Sequence, residues 1–301
     1  MTTRPRSYCA AEVRRLDRER YLAALFAPAE RREALFALYA FNLEVAKTAE
    51  MVSEPMLGEI RLQWWRETLD GIFAGSVREH PVVAALAAAV EAHDLDRARF
   101  EAIVDGRAAD LDPAPPADMD ALEAYAGATA VPLVELACQV LGAGEGKAMA
   151  AARAAGLGLG LAGVLRAVPF HARQRRLYVP RSLLDDAGIS AATLFDRGPP
   201  AAFADAVAPV ARRARAHIAA VRQARREVPR AARAALLPLA VAEACLVRLA
   251  RNGHDAFDPR IAVSPLAAQL RIAVAALGGR YSAASAAPPD QRSRSSSARA
   301  Q

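Results

Sequence analysis

Residues 156–180, GLGLGLAGVLRAVPFHARQRRLYVP, gather the side chains best suited to chemistry. Arg166 presents a fork of donors that can take a phosphate bidentately or sit in an ion pair. His171 can enter a charge-assisted hydrogen bond with a carboxylate or a polar headgroup. Arg173, Arg175, Arg176 and Arg181 form either a basic lip beside Tyr178 or a solvated loop. Upstream, Asp105, Asp110 and Asp112 are acidic, but their spacing gives no metal geometry. Capping near Pro113 is the expected role. Trp64 and Trp65 are adjacent, so they cannot share one face of a helix. One is expected in the core and the other at a contact surface.

These groups need a scaffold, and its centre is the Gly-rich segment itself. A glycine costs a helix up to about 1 kcal/mol relative to alanine. Gly156, Gly158, Gly160 and Gly163 therefore point to close packing or to a cavity wall. Hydrophobic spacing predicts helices over 10–26, 29–51, 56–74, 82–93, 96–111 and 117–141, the last in two pieces joined near 130–132. The central helix follows at 147–168, then an irregular stretch at 169–181 and short helices at 183–188 and 191–195. Longer helices at 201–228, 231–251 and 264–277 complete the chain, with a kink expected at Pro238. The helix at 29–51 carries Leu35, Leu38, Tyr39, Asn42, Val45 and Ala46 at three- and four-residue steps. The expected fold class is all-α, with roughly ten or more helices around a central cavity.

Composition agrees with that class. The chain has 301 residues, 53% of them hydrophobic and only 6% aromatic, and strand-type alternation is nearly absent. The three cysteines, Cys9, Cys138 and Cys245, are far apart and suggest neither a disulfide framework nor zinc. The N-terminal residues carry no apolar signal segment. The uncharged run 154–165 is shorter than the ~18 residues of a spanning helix. A cytoplasmic protein, peripheral at most to the inner membrane, is the expectation. The net charge of +6 favours anionic partners. The arginine face of 201–228 fits an anionic membrane surface or a solvated helix face, and nothing marks a nucleic-acid module. Residues 1–7 are expected to be a flexible terminus, 8–277 one domain, and the low-complexity 278–301 a disordered tail.

The segment RYLAALFAPAERREALFALYAF, a Trp-containing helix, Phe100 to Asp110-Leu111, Leu122-Glu123 with Tyr125, and Leu165-Arg166 leading to Tyr178-Val179-Pro180 resemble, in that order, the squalene/phytoene synthase family. The resemblance spans about residues 8–275. It implies the isoprenoid-synthase fold and a largely apolar cavity. It also implies two Asp-rich motifs on facing walls, each with carboxylates one helical turn apart, holding Mg²⁺ against a prenyl diphosphate.

The sequence departs from those motifs. Ala46 and Lys47 stand at the first Asp pair, and only Glu50 keeps a carboxylate. In the second motif Ala167 and His171 replace the aspartates, and Gly160 and Gly163 replace polar residues. Mg²⁺ demands oxygen donors, which Ala, Lys and His do not supply. The resulting expectation is no catalytic residue, no metal and no cofactor. Mg²⁺ enters only if the chain is instead an active head-to-head prenyltransferase. The candidate cavity residues are Tyr39, Asn42, Glu50, Gly160, Gly163, Arg166, His171 and Tyr178. The segments AFNLEVAKTAEMVSEPMLGEIRLQWWRETLDGIF and LRAVPFHARQRRLYVP are most similar to the mitochondrial complex I assembly factor branch of the family and its α-proteobacterial relatives. That similarity implies a bacterial pseudoenzyme aiding respiratory complex I assembly, with complex I subunits as partners and an isoprenoid or lipid as ligand. A lipid-binding scaffold is the remaining alternative.

Overall fold

The computed structural model describes residues 7–52 and 54–278. The tails expected to be disordered or flexible, 1–6 and 279–301, lie outside the described residues. Fifteen α-helices occur among the described residues, with no strand. They are α1 (Tyr8–Leu16), α2 (Arg18–Ala24), α3 (Arg32–Ala46), α4 (Pro55–Phe73), α5 (Pro81–His93), α6 (Arg97–Gly106), α7 (Met119–Thr129) and α8 (Val131–Val140). The second half comprises α9 (Gly146–Arg166), α10 (Val168–Arg173), α11 (Arg181–Asp186), α12 (Ala191–Arg197), α13 (Phe203–Gln223), α14 (Leu239–Arg251) and α15 (Pro265–Gly278).

The hub is α9, which packs against α13, α8, α7 and α14. Its glycines explain how closely. A Cβ on Gly156 would stand 2.4 Å from Val131 Cα, and one on Gly158 would stand 2.9 Å from Ile218 Cγ1. Any larger residue at these two positions would push α8 and α13 away and open voids in a close-packed core. A Cβ on Gly160 would stand 2.9 Å from Ala126 Cβ, whereas one on Gly163 would have nothing within 4 Å. One helix thus uses glycine for contact on one stretch and for open space on another.

Several local readings differ from the sequence-based expectation. The helix expected over 10–26 breaks at Asp17, whose Oδ1 accepts from the Arg20 amide at 3.0 Å and so starts α2 afresh. The helix expected over 96–111 tightens into a 3₁₀ turn at Arg107–Leu111. The stretch expected to be irregular begins with α10, because Pro169 sits in its first turn, where a missing N–H costs nothing. Pro238 does not kink a helix. It separates a 3₁₀ segment, Ala231–Leu236, from α14.

Trp65 is buried and Trp64 packs edge-on against it, its other side under Arg78. Three helical stretches are long and apolar enough to cross a membrane by length and composition: Met119–Val140, Gly146–Arg166 and Pro259–Gly278. This corrects the reading by uncharged run length. The first two are more than half buried against other helices, whereas only 22% of the third is covered.

Candidate functional site

A cavity of about 280 Å³ opens among α2, α3, α7, α8, α9 and α10, near the lower end of the ~300–1,000 Å³ usual for ligand pockets. Its apolar wall is Ala46, Ala49, Ala130, Leu133, Leu159, Gly160, Gly163, Val164 and Ala167. The expectation of a largely apolar cavity holds only for this wall. The remainder is polar and cationic: Arg20, Asn42, Glu50, Arg107, Asp110, Tyr125, Thr129, His171, Gln174, Arg176 and Tyr178.

Asp110 anchors the polar side. It is only 4% exposed, and its Oδ1 accepts from the hydroxyls of Tyr125 and Tyr178, each at 2.7 Å. Oδ2 accepts from Arg107 Nη1 at 3.0 Å, and the same nitrogen donates to Tyr125 Oη at 2.9 Å. A buried carboxylate is stable only when paired and hydrogen-bonded; here Arg107 reaches it from its own 3₁₀ turn, Tyr125 from α7 and Tyr178 from the segment after α10. Burial opposes the charge on Arg107, yet Tyr125 and Asp110 beside it hold its pKa above the ordinary value. Burial, reinforced by Asp110, raises the pKa of the Tyr178 hydroxyl, so the phenol keeps its proton and donates.

His171 lies against this cluster, its ring centroid 4.7 Å from that of Tyr178. Burial pushes its pKa below the ordinary imidazole value. Arg176 and Arg107 act in the same direction, while Asp110 opposes them. The imidazole is therefore neutral at neutral pH. His171 Nδ1, Arg107 Nε and Arg176 Nη1 are buried without a hydrogen-bond partner among the described residues. Three side chains of one cavity thus each hold a buried nitrogen with no protein partner among the described residues.

The predicted residues divide. Asn42, Glu50, Gly160, Gly163, His171 and Tyr178 line the cavity, as do Ala46 and Ala167. Tyr39 does not: it is buried in the core, with the Arg20 guanidinium 5.8 Å from its ring. Lys47 turns aside to Glu44 at 3.3 Å. Arg166 is also off the site. Gly163, Val164 and Ala167 occupy the cavity face, so residue 166 emerges elsewhere on α9 and forks onto Glu19 at 2.6 and 3.1 Å. His171 and Glu50 form no hydrogen bond to each other among the described residues. Of the expected basic lip only Arg176 faces the cavity; Arg175 pairs with Asp196 at 2.9 Å.

The capping role belongs to Asp112, which accepts from the Ala114 amide at 2.9 Å, while Asp105 pairs with Arg66. Asp110 does not cap, contrary to the expectation from its spacing; it lines the cavity, together with Arg107, Tyr125 and Arg20, which no local pattern marks as cavity residues. Asp110 and Tyr178 are 68 positions apart, and spacing alone gives no hint that they meet. The arginine face of α13 is partly consumed as well: Arg213 and His217 bind Glu123, and Arg222 binds Glu243. The three cysteines are buried and free, and burial pushes the thiol of Cys9 up to about 11 and that of Cys138 to about 12, away from nucleophilic thiolate chemistry.

The donor set does not fit Mg²⁺. The cavity carboxylates are Glu50 and Asp110, and Asp110 already accepts from Arg107, Tyr125 and Tyr178. No group of three or more His, Cys, Asp or Glu side chains is gathered as a metal site among the described residues. Of the lining arginines, Arg20 pairs with Asp17 and Arg107 with Asp110, so Arg176 is the one without an ion-pair partner among the described residues, and it favours an anion over a cation.

Comparison with known proteins agrees with the architecture. The family model for squalene/phytoene synthase matches residues 13–267. The human NADH dehydrogenase (ubiquinone) complex I, assembly factor 6 is 32% identical over 254 residues, covering 84% of this chain and 76% of that protein. A presqualene diphosphate synthase of Rhodopseudomonas palustris is 29% identical over 213 residues, covering 70% of this chain and 75% of that enzyme. A dehydrosqualene synthase crystallised with a ligand superposes with a TM-score of 0.75 at 18% identity, over 88% of this chain and 93% of that one. The squalene synthase HpnC from Alicyclobacillus acidocaldarius gives 0.72 at 22% identity, over 82% and 93%. On the extent of the family match, the chain belongs to the squalene/phytoene synthase family.

Proposed function

We propose that this chain is a pseudoenzyme of its family: it aids assembly of the respiratory NADH dehydrogenase and uses its cavity to hold an anionic isoprenoid or lipid rather than to ionise a prenyl diphosphate. The observation that carries this reading is the wall chemistry. Ala46 and Ala167 line the cavity where the family's motifs call for carboxylates, and Arg107, Arg176 and Arg20 line it as well. Ionising a prenyl diphosphate needs charge neutralisation of the leaving group by metal held on oxygen donors. A cavity whose acids are Glu50 and a fully engaged Asp110 does not supply that set. Arginine and neutral histidine can still bind a phosphate or carboxylate through hydrogen bonds. The 32% identity to complex I assembly factor 6 supports the assembly role.

The test has two arms. Deleting the gene should lower the amount of assembled NADH dehydrogenase; unchanged assembly would overturn that role. Incubating the purified protein with farnesyl or geranylgeranyl diphosphate and Mg²⁺ should release no diphosphate. A coupled C30 or C40 product would establish the rival reading, a head-to-head prenyltransferase, which the 29% identity to presqualene diphosphate synthase keeps in view.

A further inference from the structure

The last helix has two apolar faces. Ala268, Ile272 and Ala275 are buried against the body, where α15 meets α2 and α14. Leu266, Leu270, Val274 and Leu277 are between 57% and 86% exposed. At 3.6 residues per turn these four fall within about 80° of one another, on the side opposite the buried three. A contiguous exposed apolar stripe of this kind marks an interaction surface. Beside its C-terminal end lies a groove of about 510 Å³ lined by Arg225, Arg230, Arg233, Phe26 and Leu277. Its charged lining residues are all arginines. Arg225 Nε and Arg233 Nε are buried and lack hydrogen-bond partners among the described residues. Glu227, two residues from Arg225 in sequence, pairs with Lys147.

We infer that this end of the molecule docks on an anionic bilayer surface, with the α15 stripe in the acyl boundary and the arginine groove around a lipid phosphate. The charge and the apolar residues are arranged as an interfacial helix requires: leucines on one side and guanidinium groups at the flank, at headgroup height. Residues 279–301 contain one large apolar side chain, Tyr281, and four arginines against one aspartate, a composition that would itself be drawn to anionic lipid. The surface lies on α15 and the 224–233 segment and shares only its general basicity with α13, whose arginines are partly paired.

The test is co-sedimentation of the full chain with vesicles of phosphatidylcholine alone or mixed with phosphatidylglycerol. The native protein should partition onto the mixed vesicles, less so as salt rises, and little onto neutral ones. Leu270→Ser with Val274→Ser should lower partitioning by about tenfold or more, since each side chain loses its transfer free energy. Arg225→Ala with Arg230→Ala should lower it by about fivefold per arginine and flatten the salt dependence. Unchanged melting temperatures would show both variants folded, as expected for solvent-facing leucine and valine. Equal binding to both vesicle types, or native-like binding by the leucine–valine variant, would overturn the inference. So would a native dimer by sedimentation that Leu270→Ser dissociates, because a second copy would then cover the stripe.

Discussion

Asp110 and Glu50 line the same cavity, yet they are opposite kinds of carboxylate. Asp110 is buried and accepts from two tyrosine hydroxyls and an arginine, drawing the 107–111 turn, α7 and the segment after α10 at Tyr178 onto one point. Glu50 is exposed at the end of a 3₁₀ turn, Thr48–Glu50, and has no ion-pair partner among the described residues. A carboxylate's role is set by what surrounds it, and one of these is structural while the other is available. Replacing Asp110 by Ala is the largest perturbation expected. It strands Arg107 as a buried, unpaired charge and leaves two phenols without their acceptor, which should cost about 3–5 kcal/mol. Thermal unfolding should show a loss of roughly 10 °C. A variant that melts like the native protein would erase the distinction between the two acids.

The same contrast runs along α9. Gly156 and Gly163 are both glycines of one helix, but only the first is pressed on by a neighbour. Gly156→Ala should destabilise by about 1–3 kcal/mol, because the new Cβ meets the Val131 backbone, which cannot rotate aside. Gly163→Ala should instead stabilise by up to about 1 kcal/mol through helix propensity, since its Cβ meets nothing. Denaturant midpoints of the two variants should therefore move in opposite directions. Movement in one direction would mean that α9 has a single kind of glycine.

Much of the fold was legible because its signals are local. Pro28, Pro81 and the Gly75, Gly142 and Gly188 stops bound helices whose apolar periodicity sits between them. The Gly-rich run named its own helix as the hub. The site was less legible, and the reason is geometric. His171 and Tyr178 fell within one segment and could be named together, whereas Asp110, Arg107 and Tyr125 meet them only after α7 and α9 have packed. Arg166 failed for the complementary reason: motif position placed it in the cavity, but the turn of the helix carries it to Glu19. Pattern names the side chains of a segment, while helical phase and tertiary packing decide which way they face.

His171 gives a smaller effect that separates burial from binding. Its pKa is depressed in the folded chain, chiefly by burial, with Arg176 and Arg107 adding to the shift and Asp110 opposing it. Above about pH 6.5 both folded and unfolded states hold the neutral ring, so it contributes no pH dependence. As pH falls below that value the unfolded chain takes the proton first, and stability is lost. A His171→Gln variant should lose less stability than the native protein between about pH 7 and about pH 5. An NMR titration should place the native imidazole below its ordinary value, and an anion seated against Arg107 and Arg176 should raise it. An unshifted imidazole in the free protein would mean that the ring is not buried as described.

Glu50→Ala should do least. An exposed side chain without a partner seldom carries stability, so the melting curve should coincide with the native one to within about 0.5 kcal/mol. The informative measurement is ligand binding. Glu50 is the exposed carboxylate lining the cavity among the described residues, and removing it takes away repulsion, so an anionic probe such as inorganic pyrophosphate should bind at least as tightly, without Mg²⁺. A Mg²⁺-dependent affinity that Glu50→Ala abolishes would instead make this residue a metal ligand. The two carboxylates of the cavity would then differ in burial but no longer in kind.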